Sequence, residues 1–422
     1  MNISAAPLAD SCRHGRHEVF FPRTDSGFRP TRNHPRSDNA VMNETLFDPI
    51  LLTQHMVQTR TVNPPGDELA LATDLKGLLE QLGLHTVVQD VAPGRANLIA
   101  WNTGTGGPRL CFTGHLDTVP FGVASWRAAP LSGHIDGDRL YGRGASDMKS
   151  GIAAFVSALK RYRDQHQTLP CILVVLTAGE ETGCEGAKRL SELDVPPLNV
   201  GAMIVGEPTA NQCAVGHKGA LWLHAHTSGR SAHGAMPELG DNAIYHAVDA
   251  IRQLRIFDFE APDDPLLGHP SLNVGTVSGG VNINSVPDAA TFSIDIRTVG
   301  RTPHDALVDR LGNYLGQKVR LSASVDVPAL TNQLENPWLG YAIETTQAVT
   351  GVRTGHTTVA YFSDGPVLRA WLGEVPTVIL GPGEPSQAHQ TDEWCSVQRI
   401  LECTEIYFEL ISGWGKSGVA GW

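Results

Sequence analysis

Two kinds of hydrophobic spacing divide the chain. From Glu68 to Leu82 the apolar positions Leu71, Leu75, Leu78, Leu79 and Leu82 fall on one face of a helix. Four short runs are mostly apolar: Asn97 to Trp101, Arg109 to Thr113, Cys171 to Thr177 and Ala202 to Val205. Runs such as CILVVLT lack the two-residue alternation of a half-exposed strand, so they predict strands covered on both faces, as in a parallel or mixed sheet. Ile152, Phe155, Val156 and Leu159 recur at i, i+3, i+4 and i+7 and predict a helix packed on that sheet. A strand at Thr377 to Leu380 and a helix carrying Val397, Ile400, Leu401, Thr404 and Phe408 complete the pattern. The fold class is α/β: a mixed, mostly parallel sheet flanked by helices.

Between residues 216 and 330 the texture changes. Ala220 to Thr227 and Ala290 to Arg297 alternate, the latter with Ala290, Phe292, Ile294 and Ile296 on one face and Thr291, Ser293, Asp295 and Arg297 on the other. Such strands have one buried and one wet face, as in antiparallel sheets. Helical patterns at Asn242 to Leu254 and Pro303 to Leu315 separate them, giving a β-α-β-β-α-β order and an inserted α+β, ferredoxin-like domain. The larger domain is then split into residues 42–215 and 331–422. Residues 1–41 are rich in arginine and histidine with little hydrophobic periodicity, and read as a disordered tail or an extension upstream of Met42.

Composition narrows the partners. The 422 residues are 41% hydrophobic, enough for a large core, and the net charge is -12. With no Lys/Arg run in the body, nucleic acid and anionic membrane are poor partners. No apolar run reaches the roughly 18 residues of a membrane span. Seven cysteines with no CxxC pair suit reduced thiols and a cytoplasmic setting.

Candidate chemistry sits where predicted strands end. In LYGRGASDMKSG, Asp147 follows a turn made by Gly142 and Gly144 and precedes a helix. A carboxylate there caps a helix or offers one oxygen to each of two metal ions. In GHLD, His115 and Asp117 point to one side of extended chain, so that Asp117 can hold the second ring nitrogen of a metal-binding His115. Glu180 and Glu181 follow CILVVLT as adjacent carboxylates that repel unless a cation or proton intervenes, which suits one as ligand and the other as general base; the alternative is a solvated helix start. Glu207 in GEPT and His389 in AHQTDE stand after two further strands. Together His115, Asp147, Glu181, Glu207 and His389 form an N/O donor set suited to zinc, cobalt or manganese, sufficient for two ions sharing Asp147.

The segments GHLDTVP, YGRGASDMKSG, AGEETG, VGEPT and LGPG to AHQTDE, in this order, resemble the M20 dinuclear metallopeptidases and deacylases, among them acetylornithine deacetylase, succinyl-diaminopimelate desuccinylase, aminoacylase-1 and the glutamate carboxypeptidases. The resemblance spans residues 45 to 412. It implies a zinc-peptidase-like catalytic domain with a lid and dimerisation domain at residues 216–330, and two divalent ions, zinc first and cobalt or manganese as alternatives. It implies that Asp147 bridges the metals, that His115 and Glu207 complete one site, and that Glu181 and His389 complete the other. Glu180 is then the base and Asp117 orients His115. His233, in SAHG, matches the histidine that enters the partner subunit's active site of a homodimer. Asn284, in NSVP, and Arg297, in DIR, match residues that hold a substrate carboxylate.

The reaction so implied is hydrolysis of the amide of an N-acyl amino acid by metal-activated water. A dipeptidase, a carboxypeptidase or a hydrolase of another C–N bond is the alternative, and a non-catalytic metal binder is disfavoured by Glu180, which a pure binder does not need. His217 and His356 lie near candidate segments but read as ordinary histidines. Trp222, His224 and His226 share a strand face that reads as covered sheet surface, and Cys184 as a packing residue.

Overall fold

The computed structural model describes residues 45–103, 107–196, 198–300 and 302–416. The expected tail, residues 1–41, lies outside the described residues. The main sheet has eight strands, ordered His85–Ala92, Arg95–Trp101, Ile172–Thr177, Arg109–His115, Val200–Val205, Thr377–Ile379, Ala214–His217 and Thr357–Val359. Its four inner strands from Ile172–Thr177 to Thr377–Ile379 run parallel to one another. Arg95–Trp101 joins them antiparallel on one side and Ala214–His217 on the other, which makes the sheet mixed.

The continuous apolar runs have a clear cause here. Along single strands, Ile172, Val174 and Leu176 face one core while Leu173 and Val175 face another, and Ala202 and Ile204 alternate with Met203 and Val205 in the same way. The first core is closed by the helices Pro49–Gln58, Glu68–Gln81, Ser150–His166, Pro337–Thr350 and Val397–Lys416. In it Phe112 stacks on Phe155 with ring centres 4.1 Å apart, and Tyr407 meets both edge-on. The second core lies under the short helices Glu185–Arg189 and Gly365–Leu372. With each inner strand covered on both sides, neither face tolerates polar alternation.

A separate four-stranded antiparallel sheet, ordered Ser271–Gly279, Ala289–Thr298, Gly219–Ser228 and Val319–Val327, carries the helices Ala243–Leu254 and His304–Leu315. The β-α-β-β-α-β order is as predicted, and Leu221, Leu223, Phe292, Ile294 and Ile296 pack with Ala247 and Leu311 in a core of their own. Asn242 caps the first helix through its Oδ1, which accepts from the N–H of Ile244 at 2.9 Å. One boundary differs from expectation: Gly216 and His217 belong to the large sheet, and His217 exchanges two backbone hydrogen bonds with Leu330, at 3.1 and 3.0 Å. The crossing between the two sheets is therefore tight, two chain segments pinned side by side. A small third sheet of Trp394–Ser396, Arg139–Tyr141 and His134–Asp136, which the sequence pattern does not announce, ties the chain after His389 to the loop before Asp147.

Candidate metal centre and pocket

Each of the four parallel inner strands delivers chemistry at its carboxyl end, the edge where open α/β sheets hold ligands. Arg109–His115 ends on His115; Ile172–Thr177 leads to Glu180 and Glu181; Val200–Val205 leads to Glu207; Thr377–Ile379 leads through Gly381 and Gly383 to His389. Asp147 comes from outside the sheet, on the turn Ala145–Lys149 where its own backbone is extended (φ -118°, ψ 96°), just before the helix Ser150–His166.

The five side chains converge as the residue types suggested. His115 Nε2 lies 3.0 Å from Asp147 Oδ1 and 3.9 Å from Glu207 Oε1. His389 Nε2 lies 3.0 Å from Glu181 Oε2 and 3.5 Å from Asp147 Oδ2. The result is two three-residue groups, His115 with Asp147 and Glu207, and Asp147 with Glu181 and His389, the donor atoms of each within 4.8 Å of one another. Asp147 turns one oxygen to each group.

A cation suits this arrangement. Burial, then the charge of Glu207, raises the Glu180 carboxyl well above its ordinary range; burial also raises Glu207, and burial with the charge of Asp147 raises Glu181. Burial would raise Asp147 as well, but its hydrogen bonds with His115 and His389 hold it low, and those with Asp147 and Glu181 push His389 up to about 10. Carboxyls raised by burial and by one another's charge, packed around two imidazoles that are raised in turn, mark a cluster of negative charge suited to a cation. Glu181 Oε1, moreover, is buried without a hydrogen-bond partner. Divalent ions would supply the missing charge and partner, and these imidazole and carboxylate donors suit such ions.

The supporting residues are more numerous than the sequence motifs disclosed. His115 Nδ1 reaches the Asp117 carbonyl oxygen at 3.0 Å, with the Asp117 carboxylate farther away at 3.5 Å, so the expected orienting contact runs first through the main chain. The Asp117 carboxylate instead accepts from the Glu180 N–H at 3.1 Å and from Asn63 Nδ2 at 2.9 Å, tying the histidine loop to the glutamate loop. Glu393, fully buried, accepts from Arg143 Nη1 at 2.7 Å and from the N–H groups of Gly144, Ser146 and Asp147 at 3.1, 2.8 and 3.1 Å, and so shapes the turn that presents Asp147. Glu393 was visible in AHQTDE, yet nothing local separates it from an ordinary surface acid.

A cavity of about 560 Å³ opens over the centre, lined by Asp147, Glu180, Glu181, Glu207 and His389 together with Trp222, Arg297, Tyr361 and Phe362. Arg297 thus comes from the small sheet to the pocket, where Asp295 braces it through Nε at 3.0 Å and Nη2 at 3.2 Å. Trp222 departs from its expected role: it lines the pocket against Phe362, ring centres 6.0 Å apart, while His224 and His226 on the same strand are exposed and uncovered. His233 and Asn284 do not line this cavity. His233 lies on the short strand Ala232–His233 and Asn284 in the turn just before its partner strand Ser285–Val286; both are exposed, and the Gly234 N–H donates to the Asn284 carbonyl at 2.7 Å. His233 Nδ1 accepts from the Ala235 N–H at 3.1 Å, which leaves Nε2 to carry the ring proton outward. His217 is fully buried, His356 is exposed, and Cys184 is buried with its thiol raised well above its ordinary range by burial.

The fold and site together define an α/β scaffold with a candidate paired-metal centre at the carboxyl edge of its sheet. Residues 111–413 match peptidase family M20/M25/M40, and the chain belongs to that family. It is 32% identical to an acetylornithine deacetylase of Vibrio campbellii over 340 residues, 77% of this chain and 86% of that protein. It is 28% identical to a probable succinyl-diaminopimelate desuccinylase of Staphylococcus aureus, over 85% of this chain and 96% of that one. Among solved structures, an M20 family metallo-carboxypeptidase from Sulfolobus solfataricus superposes with a TM-score of 0.74 at 18% identity, covering 87% of this chain and 99% of that chain, a likeness of fold.

Proposed function

We propose that the chain is a metal-dependent amidohydrolase that cleaves the amide bond of an N-acyl amino acid with a free carboxylate. The observation that carries this reading is the juxtaposition in one cavity of two candidate metal groups sharing Asp147, an additional carboxylate, Glu180, that belongs to neither, and the guanidinium of Arg297. Two divalent ions, zinc first and cobalt or manganese as alternatives, would be held by His115, Asp147 and Glu207 and by Asp147, Glu181 and His389, and would supply Lewis-acid polarisation and acidification of water.

The chain's own residues account for the rest. Glu180 takes the proton of the attacking water at its carboxylate and returns it to the amide nitrogen as the C–N bond breaks, help worth about 10²- to 10⁴-fold. The planar fork of Arg297, braced by Asp295, binds the substrate carboxylate and fixes which amide faces Glu180. Asp117 keeps His115 and the Glu180 loop in register.

His233 is assigned to the active site of a partner subunit, in a homodimer formed through a lid domain at residues 216–330, and Asn284 to holding the substrate carboxylate. The exposure of His233, and its outward Nε2–H as a donor to the developing oxyanion, support the first assignment. Six described cysteines, all free and buried, support a reducing, cytoplasmic setting.

The test is amine release from N-acyl amino acids and dipeptides by protein supplied with zinc, cobalt or manganese. Turnover of N-acyl amino acids that vanishes with EDTA and returns with metal is expected. Hydrolysis of dipeptides alone would replace this reading with a dipeptidase.

A further inference from the structure

The rest of the cavity lining carries information that the donor residues do not. Besides the carboxylates and His389, its lining consists of Trp222, Tyr361 and Phe362, the small aliphatic Val119, Ala360 and Ala388, and Arg297. His389 is committed to Glu181 and Asp147. Among the described lining residues Arg297 is therefore the one cation left for substrate, and it already faces the carboxylate of Asp295. The Arg297 guanidinium also lies 5.9 Å from the Trp222 ring centre, so that a substrate carboxylate on Arg297 sets the rest of the molecule beside Trp222. Tyr361 offers an aromatic face only, because its hydroxyl donates to the carbonyl of Pro208.

We infer that the acyl group accepted here is uncharged and apolar, and that Trp222 and Phe362 select it. The inference rests on the amidohydrolase reading above. A substrate with a second carboxylate on its acyl arm would have to bring that charge against the aromatic and aliphatic lining while Arg297 holds the first carboxylate, and a charge desolvated without a partner is strongly disfavoured. An acetyl or benzoyl arm meets no such cost, and a flat aromatic arm gains an edge or face contact with Trp222 and Phe362.

The experiment uses the full chain loaded with zinc, cobalt or manganese and measures kcat/KM on the N-acetyl, N-benzoyl and N-succinyl forms of the same amino acids: alanine, leucine, ornithine and glutamate. N-acetyl or N-benzoyl forms are expected to exceed N-succinyl by about tenfold or more for each amino acid that is turned over. Trp222→Leu is expected to lower the N-benzoyl value several-fold more than the N-acetyl value, whereas loss of fold would lower both alike. N-succinyl forms processed as well as or better than the others would overturn this inference and leave the amidohydrolase reading standing. Silence on every N-acyl amino acid would overturn both.

Discussion

Glu180 and Glu181 are neighbours with different surroundings, and that difference makes them separable by experiment. Glu181 contacts His389 at 3.0 Å and belongs to a candidate metal group; Glu180 belongs to none. Glu180→Gln is expected to keep both metals and lose about 10²- to 10⁴-fold in kcat. Glu181→Gln is expected to bind metal more weakly, by ion content after dialysis; metal lost from the first variant and kept by the second would show the roles reversed. A second residue, His217, has its effect on stability. Burial lowers its pKa to about 4, with Nδ1 donating to the Lys218 carbonyl at 2.8 Å and Nε2 facing the Ser363 hydroxyl at 3.0 Å. Unfolded, the ring titrates near its ordinary 6.5, so between these values the unfolded chain holds the proton and the folded one does not. The associated stability is present above pH 6.5 and drains as pH falls toward 4, amounting to about 2 kcal/mol between pH 7 and pH 5. Urea unfolding of the parent and of His217→Gln at both pH values measures it, and equal pH slopes in the two proteins would refute the assignment.

Among the elements, the helix Ser150–His166 governs the position of Asp147. Its first turn approaches the end of strand Val200–Val205 so closely that a Cβ on Gly151 would fall within the van der Waals envelope of the Gly206 carbonyl. This contact sets Asp147 beside Glu207, and the Glu393 carboxylate completes the setting from the other side. Gly151→Ala is expected to cost about 1 to 3 kcal/mol of stability and to weaken metal retention. Unfolding midpoints together with bound-metal content check it; unchanged values in both would show that the helix can shift freely. Gly151 stands in the motif, but its partner Gly206 is more than fifty residues away in the chain. The reason for the glycine is legible only when both elements are in place.

For the whole molecule, the small sheet contributes unequally to its two prospective sites. Arg297 and Trp222 line the cavity of their own chain, whereas His233 and Asn284 are exposed and outside its lining. In the proposed homodimer each cavity is completed by its neighbour. An equimolar mixture of His233→Ala and Glu180→Gln subunits, after exchange, is then expected to regain roughly a quarter of parental activity, because random pairing makes half the dimers mixed and each mixed dimer has one intact site. No gain over either variant alone would place His233 outside a shared site.

The chain's own pattern determined the fold class, the order of elements and the residue types of the site. Hydrophobic period is local, and a strand covered on both faces has to be apolar throughout, so CILVVLT and its counterparts are readable without coordinates. The five candidate donors were readable only as a set, because each by itself also suits a helix cap or a solvated turn. Tertiary structure alone decided the rest. It showed that the Asp117 carboxylate braces the Glu180 loop while its carbonyl takes the nearer contact with His115. It turned Glu393 from a surface-like acid into the buried acceptor behind Asp147, brought Trp222 and Phe362 into one wall, and moved Gly216 and His217 into the large sheet. These outcomes depend on contacts between segments tens to hundreds of residues apart. Such contacts are set by how sheets, helices and loops pack, and no local spacing encodes them.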